Sequence, residues 1–516
     1  MGRIDPQSWK ADIPAFKEKA AAFVNGEVPK GEFKGFSGFY GSYAQHDGKT
    51  LMLRLRMTAG RATKAKLAFV ADSIRKYDVK LAKLTTCQAI QLHNLDVDAA
   101  AAIMESALDV GIVTLGGGGD FPRNVMCSPL SGVQKGENFD VLPWAEEAAD
   151  YLMTLVKAEK MPRKLKVCFS NSPENVPHAT FRDLGFVSRP DGLFDVYSAG
   201  GLGNNAKFGV KVAEGIDPHK ILYYIKAMWL TFRTYGNYEN RGKARTRYMQ
   251  DACGGPEAYK KAYLEKLDEV FASGEMLDTD VEPQYIAKKG TGSFEHKRAI
   301  AQKQEGLYAV MYHPVGGEPD METFCALSDA VQGIDAAELR IGPDGTAYII
   351  NLNAEEAQQI IDLTDKDSAQ TAFEYSCSCI GSTICQVGVR DSNGTLHKAV
   401  AAVREAGIPD GALPVIHISG CPSSCGTHQI GKLGFRGAAK PVDGKPQSAF
   451  MLFVGGNDYQ GQETMGREVG TVLETKVPDF LVELGRKVAA EGGSYDEWIK
   501  ANPDGVEKLA KEGGYI

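Results

Sequence analysis

The sequence predicts an α+β protein in which one strand–helix–strand–helix unit occurs twice. In the first copy the hydrophobic periodicity predicts strand 51–57, helix 62–76, strand 84–95 and helix 98–110. In the second copy it predicts strand 306–312, helix 321–331, strands 337–341 and 348–353 around a Gly-Pro-Asp-Gly turn, and helix 354–363. The shared order of elements indicates an internal duplication.

Length and composition set broad limits on what the chain does. A chain of 516 residues is long enough for two to four domains. The net charge of −8 argues against general nucleic-acid binding. No apolar run is long enough to span a bilayer, and the N-terminus does not have the pattern of a signal peptide. Ten cysteines in so long a chain do not form a disulfide framework, so we expect a cytoplasmic protein.

We divide the chain into five segments from its motifs and predicted elements. The duplicated units alternate with two larger mixed α/β regions, and a short helical leader with an ordered, aromatic-rich surface loop at 35–43 precedes them. The segments are 1–45, 46–115, 116–300, 301–365 and 366–516.

Two cysteine pairs lie in the last segment. Cys379 and Cys385 are separated by five residues, and Cys421 and Cys425 by three. Four converging thiolates can hold an iron–sulfur cluster or a structural zinc. Neither pair has the spacing of a zinc knuckle. Four unrelated core cysteines remain the alternative, because free cysteine packs as a small apolar residue.

Cationic side chains share a face in two of the predicted strands. Arg54 and Arg56 alternate with apolar residues, and so do Lys164 and Lys166 at the start of a later strand. Like charges so placed repel unless an anion lies between them. The alternatives are an exposed edge strand for the arginines and a solvated strand end for the lysines.

A third basic stretch follows a predicted helix at 218–235. It contains Arg241, Lys243, Arg245 and Arg247 within seven residues, a pattern that most often marks a solvated face. Between the duplicated units, the glycine-rich stretch 116–124 ends in an arginine and an asparagine. It lacks the context of a nucleotide-binding loop.

Taken together, these motifs resemble the sirohaem-dependent sulfite and nitrite reductases, assimilatory type. The resemblance rests on the two cysteine pairs with Gly-Cys-Pro-Ser-Ser-Cys-Gly, on Arg-Asn-Val at 123–125, on Pro-Arg-Lys-Leu-Lys at 162–166, and on the basic stretch 240–248. These motifs occur in the family's order from about residue 35 to the C-terminus. The resemblance implies ferredoxin-like repeats for the duplicated units and sirohaem- and cluster-binding roles for segments 116–300 and 366–516.

The family's functional residues carry over to matching positions. A [4Fe–4S] cluster is expected on Cys379, Cys385, Cys421 and Cys425, with Cys425 also bridging to the sirohaem iron; Cys377 is a weaker candidate for the first pair. The substrate-facing cations implied by the resemblance are Arg54, Arg123, Lys164 and Lys166. The sirohaem contacts implied by it are Arg56, Gln88, Gln91, His93, Asn124, Arg163, Arg241, Lys243, Arg245, Arg247 and Cys425.

One position departs from the family's pattern. The stretch 85–93 resembles the family's T-x-R-Q-x-x-Q-x-H, with Cys87 where the family has arginine. A contact to the cofactor or the substrate is therefore missing or supplied from elsewhere.

The activity that the resemblance implies is the six-electron reduction of sulfite to sulfide. Sulfite is preferred because Lys166 stands where many nitrite reductases have asparagine. Nitrite reduction to ammonia is the alternative. No flavin or NADPH domain is visible in the sequence, so the electrons are expected from a ferredoxin or a flavoprotein. Two further hypotheses are a non-enzymatic zinc protein and a family member that binds sirohaem without turnover.

Overall fold

A computed structural model describes residues 3–516 as two compact units. The first unit runs to Tyr312 and also includes Asp320–Pro343 and Ala347–Lys366. The second unit comprises His313–Pro319, Asp344–Thr346 and Asp367–Ile516. The division into five domains therefore stays a prediction, whereas the α+β class is confirmed.

The bounds of the regular elements are as follows. The α-helices are α1 Ile13–Val24, α2 Lys30–Ser37, α3 Lys64–Lys76, α4 Val97–Ser106, α5 Leu142–Thr154, α6 Ile221–Tyr235, α7 Tyr248–Ala252, α8 Pro256–Ala272, α9 Met321–Gly333, α10 Ala354–Thr364, α11 Ser392–Glu405, α12 Val477–Glu491, α13 Tyr495–Ala501 and α14 Gly505–Glu512. The strands of the first unit are β1 Ser42–Ala44, β2 Leu51–Arg56, β3 Arg61–Ala62, β4 Ala82–Leu84, β5 Ala89–Leu95, β6 Met126–Cys127, β7 Val167–Ser170, β8 Leu184–Ser188, β9 Phe194–Ser198, β10 Val210–Ile216, β11 Ala299–Ala301, β12 Tyr308–Tyr312, β13 Glu338–Ile341 and β14 Ala347–Leu352. Those of the second unit are β15 Cys377–Ser378, β16 Ile416–Ser419, β17 Leu433–Val442, β18 Lys445–Val454 and β19 Arg467–Leu473.

The predicted duplication is confirmed by the strand pairing. The first copy forms a sheet of order β1-β2-β5-β4, and the second contains β11-β12-β14-β13 with the same antiparallel neighbours. The short strand β3 extends the second sheet beside β13. Because β2 pairs on both sides, Arg54 and Arg56 lie on an interior strand and not on an exposed edge.

Short polar side chains start the helices of both copies. Thr63 and Asp96 cap α3 and α4 by accepting hydrogen bonds from backbone N–H groups at Lys66 and Ala99. In the second copy Asp320 caps α9, and Asn353 forms a capping box with Glu356 at the start of α10. The sequence marks these helix starts accurately for this reason.

A second duplication, which the sequence did not indicate, relates the two remaining sheets. Strands β6 to β10 pair in the order β10-β9-β8-β7-β6, and β15 to β19 pair in the matching order. In both sheets the first two pairings are parallel and the last two antiparallel. Helices α5 and α11 occupy the corresponding connections.

The connection between the second and third strands is also equivalent in the two sheets. Residues 170–186 and 419–435 align without a gap, and each stretch ends in Leu-Gly-Phe. Asn175 and His178 adopt left-handed backbone conformations in the first loop, and Ser424 and Thr427 do so at the aligned positions of the second. The two loops therefore share a backbone framework although their side chains differ.

Two predicted elements need correction. The predicted surface loop at 35–43 contains the end of α2, a turn and the start of β1, and much of it is buried. The predicted strand at 84–95 is a hairpin, since residues 85–88 turn between β4 and β5.

None of the helices in residues 3–516 is long and apolar enough to cross a membrane.

The aligned glycines of the two Leu-Gly-Phe sequences provide a test of the shared framework. A Cβ on Gly185 would lie 1.9 Å from the carbonyl oxygen of Ala179, and one on Gly434 would lie 1.8 Å from that of His428. Because these are backbone atoms, we expect Gly185→Ala and Gly434→Ala each to lower the free energy of unfolding by ~2 kcal/mol or more. Urea denaturation measures the loss.

Gly35→Ala is the matched control, because Gly35 lies in α2 with nothing within 4 Å of its added Cβ. Its stability should stay the same or rise slightly. Equal stability of all three variants and the wild type would contradict the shared framework.

Candidate functional site

Three arginines of the first unit converge on the glycine-rich turn. Arg54 donates from Nη1 to the carbonyl oxygen of Gly117 at 2.6 Å, and Arg123 donates to the same oxygen. Arg56 donates from Nη2 to the carbonyl oxygen of Leu115 at 3.1 Å. The predicted alternation on β2 and the turn at 116–124 thus produce one cationic group, which we call the arginine cluster (Arg54, Arg56 and Arg123).

The arginine cluster has only uncharged hydrogen-bond acceptors among residues 3–516. Besides the two carbonyls, Gln91 lies against Arg54, and its amide oxygen accepts from Nη2 at 2.6 Å when the amide is oriented for this bond. Burial, reinforced by the neighbouring arginines, lowers the pKa of Arg56 to about 9 and that of Arg123 to about 10. Positive charge buried in this way is costly unless an anion joins it.

Lys166 belongs to a second group of cations on the same unit. Its Nζ lies 3.0 Å from the Sγ of Cys87, in the turn between β4 and β5. Arg182 and Lys164 also act electrostatically on this thiol. Arg182 donates from Nε to the carbonyl oxygen of Pro177 at 3.1 Å, and its Nη2 lies 3.1 Å from Nδ1 of His178. Neither of these hydrogen-bonding partners carries a negative charge.

The remaining basic residues are mostly paired with buried carboxylates. Arg163 donates to Asp120 at 2.8 Å, and Arg241 donates to the same carboxylate at 3.1 Å. Arg245 donates to both oxygens of Asp183, at 3.0 and 3.1 Å. Although burial opposes ionisation, these cations hold the pKa of each carboxyl below its usual range.

The other three predicted cations differ in their surroundings. Arg247 is buried, donates from Nε to the carbonyl oxygen of Asn204 at 2.7 Å, and has a pKa lowered to about 10, chiefly by burial. Lys164 is half-buried beside Lys166, as the alternation predicted. Lys243 is exposed, and the structure does not draw it into the cationic groups.

Gln88 and Asn124 both donate hydrogen bonds to backbone carbonyl oxygens, and their predicted contacts to the cofactor stay a prediction. Gln88 is fully buried, donates from Nε2 to two carbonyls at 2.7 and 2.6 Å, and accepts from the Cys127 N–H. Asn124 donates from Nδ2 to the carbonyl oxygens of Met57, Cys87 and Gln88. These two side chains fix the turn that carries Cys87, which gives them a structural role.

His93 is buried on β5, and its side-chain contact is an uncharged amide. Its Nδ1 lies 3.3 Å from the side-chain oxygen of Gln45, and its Nε2 is buried without a partner in the described chain. Burial, followed by Lys83 and Arg54, lowers its pKa to about 3, so the imidazole is uncharged at neutral pH.

In the second unit Gly420 joins the two cysteine loops. Its N–H donates to the Sγ of Cys379 at 3.2 Å, and its carbonyl oxygen accepts from the N–H groups of Val389 and Arg390. A Cβ on Gly420 would lie 2.4 Å from the carbonyl oxygen of Arg390, and one on Gly426 would lie 2.1 Å from that of Ile418. Both glycines are therefore required by close backbone approach, and not only by access to sulfur.

The four cysteines differ in exposure and do not form a compact tetrahedron. Cys425 is exposed, and the other three predicted ligands are half-buried. In residues 3–516 no three cysteine, histidine or acidic side chains are grouped closely enough to hold one ion. Burial raises the pKa of Cys385, and the nearby thiols of Cys379 and Cys421 raise it further, which shows that these sulfurs are neighbours. Cys377 is buried in β15.

Orphaned donors indicate that an anionic group belongs in the first unit. Within the described chain, several buried arginine N–H groups have no hydrogen-bond partner. In the cationic regions these groups are the Nε atoms of Arg56, Arg123, Arg163 and Arg245 and one Nη atom of Arg247; outside them, the Nε of Arg233 on α6 is also without a partner. Buried donors are normally satisfied, so a polycarboxylate such as sirohaem fits the donor set.

Sequence reasoning missed three residues of this site. Arg182, Asp120 and Asp183 lie in loops, and none belongs to a motif on which the resemblance rests. The alignment of residues 170–186 with 419–435 offers one signal, because Arg182 and Asp183 stand where the second loop has Gly431 and Lys432. Such substitutions within a shared framework mark positions at which the first loop acquired its own chemistry.

The buried Asp183–Arg245 pair predicts a stability difference that depends on pH. Because the folded pKa of Asp183 is depressed, its contribution is present above the unfolded pKa of about 3.9 and is lost as pH falls through the folded value. Asp183→Asn should lower the free energy of unfolding by ~3 kcal/mol at neutral pH. The gap should shrink at pH ~3, as measured by urea denaturation at both values.

Asp280→Asn, at an exposed position, is the control and should change stability little at either pH. A gap for Asp183→Asn that is the same at both pH values would contradict an ionised carboxylate.

Two family profiles match the chain in the order of its elements. Residues 43–110 match the family described as the nitrite/sulfite reductase ferredoxin-like half domain. Residues 118–271 match the nitrite and sulphite reductase 4Fe-4S domain. The first match covers the first copy of the predicted duplication with Arg54 and Arg56, and the second covers Arg123, Lys164, Lys166 and the basic stretch 240–248.

Similar proteins extend the match along the chain. An assimilatory ferredoxin-dependent nitrite reductase of Haloferax mediterranei is 23% identical, over 98% of this chain and 93% of its own length. A ferredoxin–nitrite reductase of Synechococcus elongatus is 26% identical, over 84% and 85%. A ferredoxin sulfite reductase of Mycolicibacterium paratuberculosis is 23% identical, over 89% and 85%.

The fold is that of a solved structure. The NirA protein of Mycobacterium tuberculosis superposes with a TM-score of 0.79 and 21% identity, covering 96% of this chain and 94% of its own. At that identity the likeness establishes the fold alone. The profiles at 43–110 and 118–271 and the relatives, which are 23–26% identical, together support assignment of the chain to the nitrite and sulphite reductase family, whose members are oxidoreductases with sirohaem and a [4Fe–4S] cluster.

Proposed function

We propose that this protein catalyses the six-electron reduction of sulfite or nitrite at a sirohaem, with electrons from an external donor protein. The observation that carries the proposal is the arginine cluster, in which buried Arg56 and half-buried Arg54 and Arg123 have uncharged acceptors and two of the Nε–H groups are orphaned. Such a group stabilises a bound anion because the surrounding protein reduces screening by water.

The two cofactors would be held by different residues. The thiolates of Cys379, Cys385, Cys421 and Cys425 would ligate the [4Fe–4S] cluster, with exposed Cys425 as the proposed bridge to the sirohaem iron. The sirohaem carboxylates would pair with Arg56, Arg163, Arg241, Arg245 and Arg247. When bound, the pair of cofactors supplies single electrons and an open iron position for the substrate.

The protein's own cations would bind the substrate anion and supply protons. Arg54 and Arg123 present guanidinium groups held in place by the carbonyl oxygen of Gly117. Lys164 and Lys166 follow from the alternation before β7 and are the proposed proton donors. Each reduction consumes protons as oxygen leaves as water, so donors close to the anion are needed.

The substrate, sulfite or nitrite, and the electron donor are both part of the proposal. The sulfite prediction rests on Lys166, whereas the relatives named above include both nitrite and sulfite reductases. All three relatives are named for ferredoxin, and we propose a ferredoxin-type donor here, with a flavoprotein as the alternative. A cytoplasmic location also stays a prediction.

The zinc hypothesis is not favoured by the cysteine geometry. Zinc–sulfur bonds of about 2.3 Å require four thiolates to surround one ion closely. The described residues contain no such group, although Cys379 and Cys421 act electrostatically on the thiol of Cys385. In a [4Fe–4S] cluster four cysteine ligands are spread over several iron atoms and do not surround a single ion.

Absorption spectroscopy and turnover test the proposed function. Anaerobically purified protein should show the Soret and red-shifted bands of sirohaem, with iron and acid-labile sulfide. With a reduced donor it should convert nitrite to ammonia or sulfite to sulfide. Protein without haem or cluster features, from cells that make sirohaem, would overturn the proposal, and loaded protein without turnover would support the non-catalytic alternative.

The ligand assignment makes a separate prediction. Cys379→Ser should abolish acid-labile sulfide, because serine oxygen is a poor ligand for cluster iron. Cys377→Ser is the matched control, since Cys377 is two residues away and buried in β15. It should retain the cluster. If Cys377→Ser lost the cluster and Cys379→Ser kept it, Cys377 would replace Cys379 as the proposed ligand.

A further inference from the structure

Cys87 occupies a cationic environment that the mechanism above does not use. Its Sγ lies 3.0 Å from Nζ of Lys166, which has no other side-chain hydrogen bond among the described residues. On its other side Cys87 packs against a small apolar group that includes Met126 and Cys168. Asn124 fixes the turn that holds Cys87, because its Nδ2 donates a hydrogen bond to the Cys87 carbonyl oxygen.

The surroundings of Cys87 favour its ionised form. Burial opposes ionisation, but Lys166, Arg182 and Lys164 outweigh it and lower the pKa of the thiol to about 6. The contrast is with Cys168 nearby, whose pKa burial raises to about 12. Cys168 is fully buried and Cys87 is half-buried, and of the two only Cys87 has a hydrogen-bond contact with a lysine.

We propose that the Cys87 thiolate forms an ion pair with Lys166 that withdraws one positive charge from the anion pocket and thereby favours nitrite over sulfite. The proposal rests on the proposed function, because it assigns the substrate preference of that same pocket. Nitrite is a monoanion, whereas sulfite is partly a dianion near neutral pH. Removing one cationic charge from the pocket weakens the binding of a dianion more than that of a monoanion.

The charges around Lys166 support this direction. Arg54 and Arg123 remain with uncharged acceptors, and Arg182 has a carbonyl and an imidazole as partners. Lys166 differs from them, because a negative charge 3.0 Å from its ammonium group cancels most of its field at the distance of a substrate. Paired in this way, Lys166 resembles a neutral residue, and the reason for predicting sulfite from it no longer holds.

The test compares two substitutions at Cys87 in the cofactor-loaded protein. Cys87→Ser keeps the size and removes the charge, so the ratio of kcat/KM for nitrite to that for sulfite should fall about tenfold or more. Cys87→Asp restores an anion and should keep the ratio near the wild-type value. Rescue by aspartate separates the effect of charge from an effect on folding.

Cys168→Ala is the matched control, because Cys168 packs beside Cys87 and lies outside the cationic groups. Its ratio should equal that of the wild type. If Cys87→Ser left the ratio of kcat/KM for nitrite to that for sulfite unchanged, or if Cys168→Ala changed it equally, the inference would be overturned. The proposed function would stay intact.

A second readout does not depend on turnover. Thiolate absorbance in the ultraviolet, or the S–H band in the Raman spectrum, should show an ionised thiol in the cofactor-free wild type. The thiolate signal should be absent from Cys87→Ser, and in Lys166→Met the Cys87 thiol should be protonated. A protonated Cys87 in the wild type would overturn the ion pair. If the wild type reduces neither anion, the proposed function fails, and this measurement still decides whether the pair exists.

Discussion

The buried positive charge of the arginine cluster is the constraint on which the first unit depends. Arg54 and Arg56 are placed in the interior of a sheet, and Arg123 meets them at the glycine-rich turn. Their acceptors are carbonyls and an amide, which orient guanidinium groups without neutralising them. Desolvated charge of this kind costs stability until an anion binds. The arginine cluster is therefore expected to lower the stability of the fold until an anion binds.

Other arginines of the same unit differ from the arginine cluster, because their hydrogen-bond partners are carboxylates. Asp120 and Asp183 neutralise Arg163, Arg241 and Arg245 and fix where those guanidinium groups lie. A charge that is already paired can position a large carboxylate ligand without attracting every small anion. The carbonyl acceptors of Arg54 and Arg123 and the carboxylate partners of Arg163, Arg241 and Arg245 thus distinguish two kinds of arginine within this unit.

Much of the fold and part of the site could be read from the sequence. The hydrophobic periodicity of α3, α4, α9 and α10 and the alternation on β2 are local signals, and the predictions based on them were accurate. The second duplication could not be read, because its strands β6 and β15 are two residues long and carry no periodicity. Arg182 and Asp183 were missed because only tertiary folding brings their loop to Lys166.

The second duplication also explains how a cluster cradle can exist before the cluster binds. Cys379 accepts from the Gly420 N–H at 3.2 Å, and at the equivalent point of the first unit Ser128 accepts from the Asn171 N–H at 3.1 Å. Ser172 and Val176 stand where the second loop has Cys421 and Cys425. One backbone framework thus forms with or without thiols, so its shape comes from glycine contacts and strand pairing. Metal ligation is then an addition to a loop that the sheet already holds, and the equivalent loop is free to supply Arg182 and Asp183 instead.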